Sequence, residues 1–241
     1  MEPATTHLSH AEILDRLASI ERAVEENTYR AGPWMEVVRA IRALPDAKRA
    51  AVADDLSRIS RKLHLRKRRQ TIPFVTGIFL ELLATAAGGM LLAWSIRAGS
   101  NLLALAGAFI WMMTFQPLLK ILTGASLGIR FDYDYLFGAE PRFKMKFGTY
   151  LAAPRWARIV FHVSGMIGSP LGVYLALTIV GNRFPAAAWI MIVAFWLAIA
   201  INLIALIGGL IGAHRLMFLK TSDGSGGAAG LELREAAGLR E

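Results

Sequence analysis

The sequence predicts an all-α polytopic membrane protein: four transmembrane helices, a cytoplasmic β-hairpin between the second and third, and a helical cytoplasmic N-terminal region. Three observations predict it. Hydrophobic residues make up 55% of the 241 positions, with a mean hydropathy of +0.44, more than water-soluble domains carry. The charges crowd the first seventy residues, one central stretch and the C-terminal tail, leaving four long apolar runs between them. Inside the central stretch, aromatic residues alternate with charged ones. A run of about twenty apolar residues matches the bilayer core at about 1.5 Å per residue. Lipid cannot bond peptide groups, so such runs must be helical.

Residues 1–72 read as the cytoplasmic region, 73–220 as the membrane domain and 221–241 as a flexible tail. Ser9 suits an N-cap, and Ile13, Leu17, Ile20 and Val24 follow at spacings of four and three, an apolar seam on a first helix. That seam either docks on its own neighbours or makes a short coiled-coil contact with a partner chain through the 9–27 helix. A second helix is expected from Trp34 to Leu44, ending before Pro45. A third starts with Asp46 as cap and carries Val52, Leu56, Ile59 and Leu63 on one face.

That helix runs into a basic stretch in which Arg61, Lys62, Arg66, Lys67, Arg68 and Arg69 stand beside the first span. Such a cluster sets topology and attracts anionic lipid headgroups, at about 1 kcal/mol per charge near the surface. The formal net charge is +9. Because the basic residues flank apolar runs, lipid explains them better than nucleic acid does. The polar N-terminus has no apolar core of a cleavable signal. The chain has no cysteine, which excludes disulfides and thiol chemistry.

The four spans are expected at about 73–95, 102–124, 158–181 and 186–212, joined pairwise by tight connections around 97–101 and 181–185. One side of the bilayer then holds the 61–69 cluster, Arg130, Arg142, Lys144, Lys146, Arg155, Arg158, Arg215 and Lys220, and the other only Arg97 and Arg183. Positive residues stay inside. Both termini are therefore expected in the cytoplasm, with an inner-membrane location. Trp94 and Trp189 suit the outer interface and Trp156 the inner one.

Between the second and third spans, residues 129–150 carry two runs of period two. Phe131, Tyr133, Tyr135 and Phe137 alternate with Arg130, Asp132 and Asp134; Phe143, Met145 and Phe147 alternate with Arg142, Lys144 and Lys146. This predicts a hairpin turning at Gly138-Ala139-Glu140-Pro141. If directly opposed residues share a face, a five-residue loop over 137–141 is expected. It pairs Tyr135 with Phe143, Tyr133 with Met145, Phe131 with Phe147, Asp134 with Lys144 and Asp132 with Lys146. The aromatic face is then expected in the headgroup zone or over the inner mouth of the bundle.

Glu81, Gln116, Lys120, His162 and Asn202 interrupt the apolar runs. Polar groups are costly in lipid and face the bundle interior. All five lie toward the inner half, so they are candidates for one polar cluster, with Glu81 and Lys120 as its ion pair. They serve either as ordinary interhelical and interfacial contacts, as a binding pocket, or as the path of a small transporter or channel. Ser164, Gly168 and Gly172, then Gly208 and Gly212, then Ala84 and Gly88, form stripes of small residues that pack spans within one chain. The segment 221–230 reads as a Gly/Ser-type linker, and Leu231 to Glu241 either as a weak helix or as a disordered stretch.

Gln116-Pro117-Leu118-Leu119-Lys120, continued through Gly128-Ile129-Arg130-Phe131, resembles the first core helix of the site-2 protease family of intramembrane zinc metalloproteases. Arg155 to Pro170 is similar to that family's next helix, and Asn202-Leu203-Ile204 with Gly208-Gly209 to its third-ligand region. The resemblance covers roughly residues 105–212 and implies β-structure after the first core helix. Its zinc chemistry does not carry over. The His, Glu and His positions of the family motif fall on Gln116, Pro117 and Lys120, and no Asp stands between Asn202 and Gly212. Catalytic zinc needs about three protein ligands and a base. The resemblance therefore implies a non-catalytic relative that needs no metal or cofactor, rather than a working intramembrane hydrolase. The five histidines show no metal-ligand spacing. A non-enzymatic protein that binds a partner chain or lipid is expected.

Overall fold

The computed structural model describes residues 9–30, 32–66, 70–137, 140–212 and 225–238. Residues 1–71 with 128–154 form one unit, and 72–127 with 155–241 a second. The segment 128–154, expected in the membrane domain, thus belongs with the N-terminal helices.

In the first unit, helix α1 (His10–Glu25) starts at Ser9, whose hydroxyl accepts the Glu12 N–H while the Glu12 carboxylate accepts the Ser9 N–H. It ends at Asn27, whose φ of 60° is left-handed. There the Thr28 N–H donates to the Ala23 carbonyl at 2.9 Å, closing the helix. Ile13, Leu17 and Ile20 are buried against α2 (Pro33–Arg42) and α4 (Ala53–Leu65). The seam docks within the chain. The third expected helix is two: α3 (Asp46–Ala51) and α4, broken at Val52. Pro45, not Asp46, is the cap, and Asp46 sits in the first turn and pairs with Arg49. The break falls where α7 (Phe147–Ala152) packs on both pieces.

Charges fasten α1 to α4. Arg58 grips Glu21 with two bonds of 2.8 and 2.9 Å, and Lys62 reaches Glu21 at 2.6 Å and also Glu25. The Arg58 and Lys62 hydrogen bonds hold the Glu21 carboxyl down at about 2, against an ordinary 4.5. A depressed carboxyl stabilises the fold above its unfolded value and stops doing so as pH falls through the folded one. This unit should therefore lose stability between about pH 5 and pH 2. Glu21→Gln should flatten that part of the profile in an acid titration followed by circular dichroism; an unchanged slope would count against this clasp.

Strands β1 (Thr71–Pro73), β2 (Phe131–Phe137) and β3 (Glu140–Met145) form a sheet in that order. The hairpin is present, but its register differs from the expected one. Phe137 pairs with Glu140, Tyr135 with Arg142, Asp134 with Phe143 and Tyr133 with Lys144; a bulge at Asp132 then brings Phe131 opposite Met145. The connection is 138–139, which lies outside the described residues. A short connection fixes register. The expected register assumed one wet face and one greasy face, but Tyr133, Asp134, Tyr135 and Arg142 are all buried. With both faces covered, like need not oppose like. The strand charges find partners on α4 instead: Lys144 donates to Ser60 Oγ at 3.0 Å, and Arg61 meets Asp132 at 3.4 Å. Tyr133 and Tyr135 turn to His64 of α4, with 2.6 Å between Tyr133 Oη and His64 Nδ1 and 4.5 Å between the Tyr135 and His64 rings. Burial pushes the Asp134 carboxyl up, against the backbone N–H groups of Tyr135 and Arg142 that pull it down. The expected hairpin limit of 150 is corrected too, since Phe147 already belongs to α7.

The second unit contains α5 (Phe74–Ala98), α6 (Asn101–Ser126), α8 (Arg155–Val180) and α9 (Pro185–Leu210). Among the described residues these are the four helices long and apolar enough to cross a membrane. The protein is a multi-pass membrane protein. Gly99, at φ 62°, turns the chain between α5 and α6, where Ser100 caps α6. Asn101 Oδ1 accepts the Ala187 N–H, tying the start of α6 to the start of α9. At this end Leu92, Ala104, Ala108, Val173, Val180 and Met191 form an apolar core. Large apolar side chains such as Phe79, Met90, Phe109, Leu122, Val193 and Trp196 stay exposed, the outer face that lipid solvates.

The linker reading is corrected from Ser225 to Gly230, which is helical, and of the two alternatives for the segment from Leu231 the helix is the one present as far as Ala236. Together Ser225–Ala236 form α10, packed on α9 and α8. Residues 221–224 of the expected linker lie outside the described set. Gly230 is required there: a Cβ would stand 2.1 Å from the Leu206 carbonyl oxygen.

Candidate functional site

The seam between α6 and α8 is built by glycine and proline. A Cβ on Gly168 would lie 2.4 Å from Gln116 Cα, and one on Gly172 2.4 Å from the Trp111 carbonyl oxygen. The two backbones therefore touch. Pro117 interrupts α6 and Pro170 interrupts α8. Neither has an N–H for the carbonyl four residues back, that of Met113 or Met166. Immediately before each proline, Gln116 and Ser169 face one another, the serine hydroxyl donating to the amide oxygen at 3.2 Å.

One turn further along α6, the Lys120 ammonium lies over the Phe161 ring of α8 at 5.2 Å. His162 is buried, its ring 5.1 Å from that of Phe161 and nearly edge-on. Gln116 and Lys120 of the expected polar cluster thus stand on α6 and His162 on α8, each with the contacts just described. Glu81 is buried on α5, and its carbonyl accepts the Thr85 hydroxyl at 2.8 Å. Asn202 stands elsewhere, on α9, and donates to the Ala198 carbonyl of its own helix at 2.9 Å.

Asn202 lines a groove of about 370 Å³ between α8 and α9, whose other walls include Val163, Met166, Pro170, Tyr174, Phe195 and Leu203. Its lining is almost wholly apolar, and it lies within two of the spanning helices.

The basic stretch is partly committed to the protein itself. Arg61 meets Asp132 and lies 5.8 Å over the Tyr133 ring. Lys62 is clasped by Glu21 and Glu25, and Arg66 donates to the carbonyls of Asn27 and Tyr29 at 3.1 and 3.3 Å. Lys67, Arg68 and Arg69 lie outside the described residues, as do His7, His214, Arg215 and Lys220.

Sequence reasoning missed one pair. Arg158, counted only as a topology charge, is 0% exposed, and its Nε donates to the carboxylate of Glu232 at 3.0 Å; Glu232 is 1% exposed. Nearby, Arg155 donates to the Glu235 carbonyl at 3.1 Å. The available signal was Leu231-Glu232-Leu233-Arg234, an amphipathic fragment inside a segment read as linker and tail. Among the described residues, no three His, Asp or Glu side chains are grouped where they could hold a metal ion. No protein-family model, curated protein or solved structure matches the chain.

Proposed function

We propose that this chain is a non-enzymatic protein of the inner membrane, both termini in the cytoplasm, that binds a lipid acyl chain in the groove between α8 and α9. The groove carries this reading: its walls belong to two spans, so the medium pressed against it is hydrocarbon, and apolar side chains dominate its lining. The cytoplasmic placement is supported by the excess of Lys and Arg at one end of the spans. The non-enzymatic reading, as a relative of the site-2 proteases without zinc ligands, is supported by the environments of the motif positions. The Gln116 amide is bonded to Ser169, and the Lys120 cation rests on an aromatic face. Lipid is preferred to a partner chain because the apolar seam of α1 is covered by α2 and α4.

Native mass spectrometry of the full-length protein tests this. Val163→Trp, which fills the groove, should lower the number of retained long-chain lipids about fourfold or more, the loss expected when at least one methylene is no longer buried. Asn202→Leu replaces an amide on the groove wall with an apolar side chain and should not lower retention of an acyl chain. Equal retention by wild type and Val163→Trp would remove the groove as the site. A loss in Asn202→Leu as large as that in Val163→Trp would point instead to polar ligand or ion passage.

A further inference from the structure

The contact between α10 and the beginning of α8 has a chemistry its packing does not need. We propose that Arg158 is a binding site for the phosphate of an anionic phospholipid headgroup, and that Glu232 fills it in this structure as an internal competitor. This proposal is independent of the acyl-chain groove, which starts further along α8 at Val163.

Four observations carry it. Arg155 and Trp156, in the first turn of α8, are exposed, and an arginine beside a tryptophan at the end of a span marks the headgroup level. Arg158 stands one turn inward, completely covered, with a carboxylate on its Nε at 3.0 Å. A guanidinium fork receives carboxylate and phosphate with the same geometry, so Glu232 Oε2 on the Arg158 Nε occupies a place that a headgroup phosphate oxygen would take. Apolar residues of similar volume would fasten α10 at least as well, because desolvating both charges offsets most of their attraction. The pair is therefore a poor clamp but a good exchangeable contact. Finally, α10 is a weak helix by composition. Three of its first six residues are glycine, the poorest helix former after proline. Contacts with α8 and α9 hold it in place, and a ligand competing for Arg158 removes a buried ionic contact. The chain's net charge of +9 favours such a ligand at an anionic surface.

The chain lacks cysteine, so Ala229→Cys, at a 0% exposed position of α10 itself, gives a single reporter for displacement of that helix. The full-length reporter protein is placed in phosphatidylcholine vesicles with and without phosphatidylglycerol, and maleimide labelling is followed. Phosphatidylglycerol should speed labelling about fivefold, the attraction expected of a single arginine at an anionic surface. Glu232→Gln should raise retention of phosphatidylglycerol, but not of phosphatidylcholine, by a similar factor in native mass spectra. Gly230→Leu, which pushes α10 away while leaving both charges intact, should do the same. Arg158→Gln should abolish the gain in each background, and Val163→Trp should leave it intact. Labelling insensitive to phosphatidylglycerol overturns the proposal. So does equal gain for both lipids, which marks a loosened fold. Inorganic phosphate acting as strongly as phosphatidylglycerol overturns the lipid assignment.

Discussion

Gly168→Leu should unfold the four-span unit at markedly lower temperature than wild type, with a loss of about 3 kcal/mol or more. The atoms in the way are backbone: Gln116 Cα at 2.4 Å, its nitrogen at 2.8 Å and the Phe115 carbonyl oxygen at 2.9 Å from the first added carbon. None can rotate aside, so α6 and α8 must part. Parting also breaks the bond from Ser169 to Gln116. The helices most in contact in this unit are these two, so little else compensates. Gly89→Ala is the matched control, because its added carbon would meet only the Trp111 ring at 3.4 Å. Thermal unfolding in detergent, followed by tryptophan fluorescence, should separate the two variants clearly. Equal midpoints would mean that the seam is not close-packed as described.

Gly148→Val should have an effect of the same size on the other unit. A Cβ at Gly148 would fall 1.6 Å from the Ala53 carbonyl oxygen, so α7 loses its seat on α4. The Gly148 N–H also leaves Ser57 Oγ, its acceptor at 3.0 Å. Ser57→Ala removes that acceptor alone and should cost less, about 1–3 kcal/mol. Limited proteolysis within residues 9–66 should therefore rise most in Gly148→Val, by less in Ser57→Ala, and leave the spans intact. If Ser57→Ala proves the worse variant, close packing is not what seats α7.

The spans were legible because length and apolarity alone decide them, and Phe74–Ala98 through Pro185–Leu210 fall within a few residues of the expected limits. The first helix was legible because Ser9 and the Ile13-Leu17-Ile20 spacing are local signals. Local signals ran out where remote partners decide. Asp134 and Tyr133 are neighbours in β2, yet both are buried, so alternation could not fix the register. Lys62 reads as a headgroup cation until Glu21 and Glu25 are brought beside it by a helix forty residues away. The stretch from Ser225 reads as linker because its glycines disfavour helix; Arg158, seventy-four residues earlier than Glu232, supplies part of what its own sequence lacks. Within the candidate site, the polar positions could be found one by one. Phe161, the ring on which the Lys120 cation rests, could not, because nothing distinguishes it from any other span residue.

The first unit is written in two instalments, residues 1–71 and 128–154. A ribosome therefore delivers Ser57, Ser60 and His64 well before it delivers the Gly148, Lys144 and Tyr133 that they meet. Contacts this far apart in sequence close slowly. Through the whole synthesis of the first two spans, one flank of the early product waits uncovered. A nascent chain arrested at residue 127 should thus be more open to protease in its leading portion than one released at residue 154.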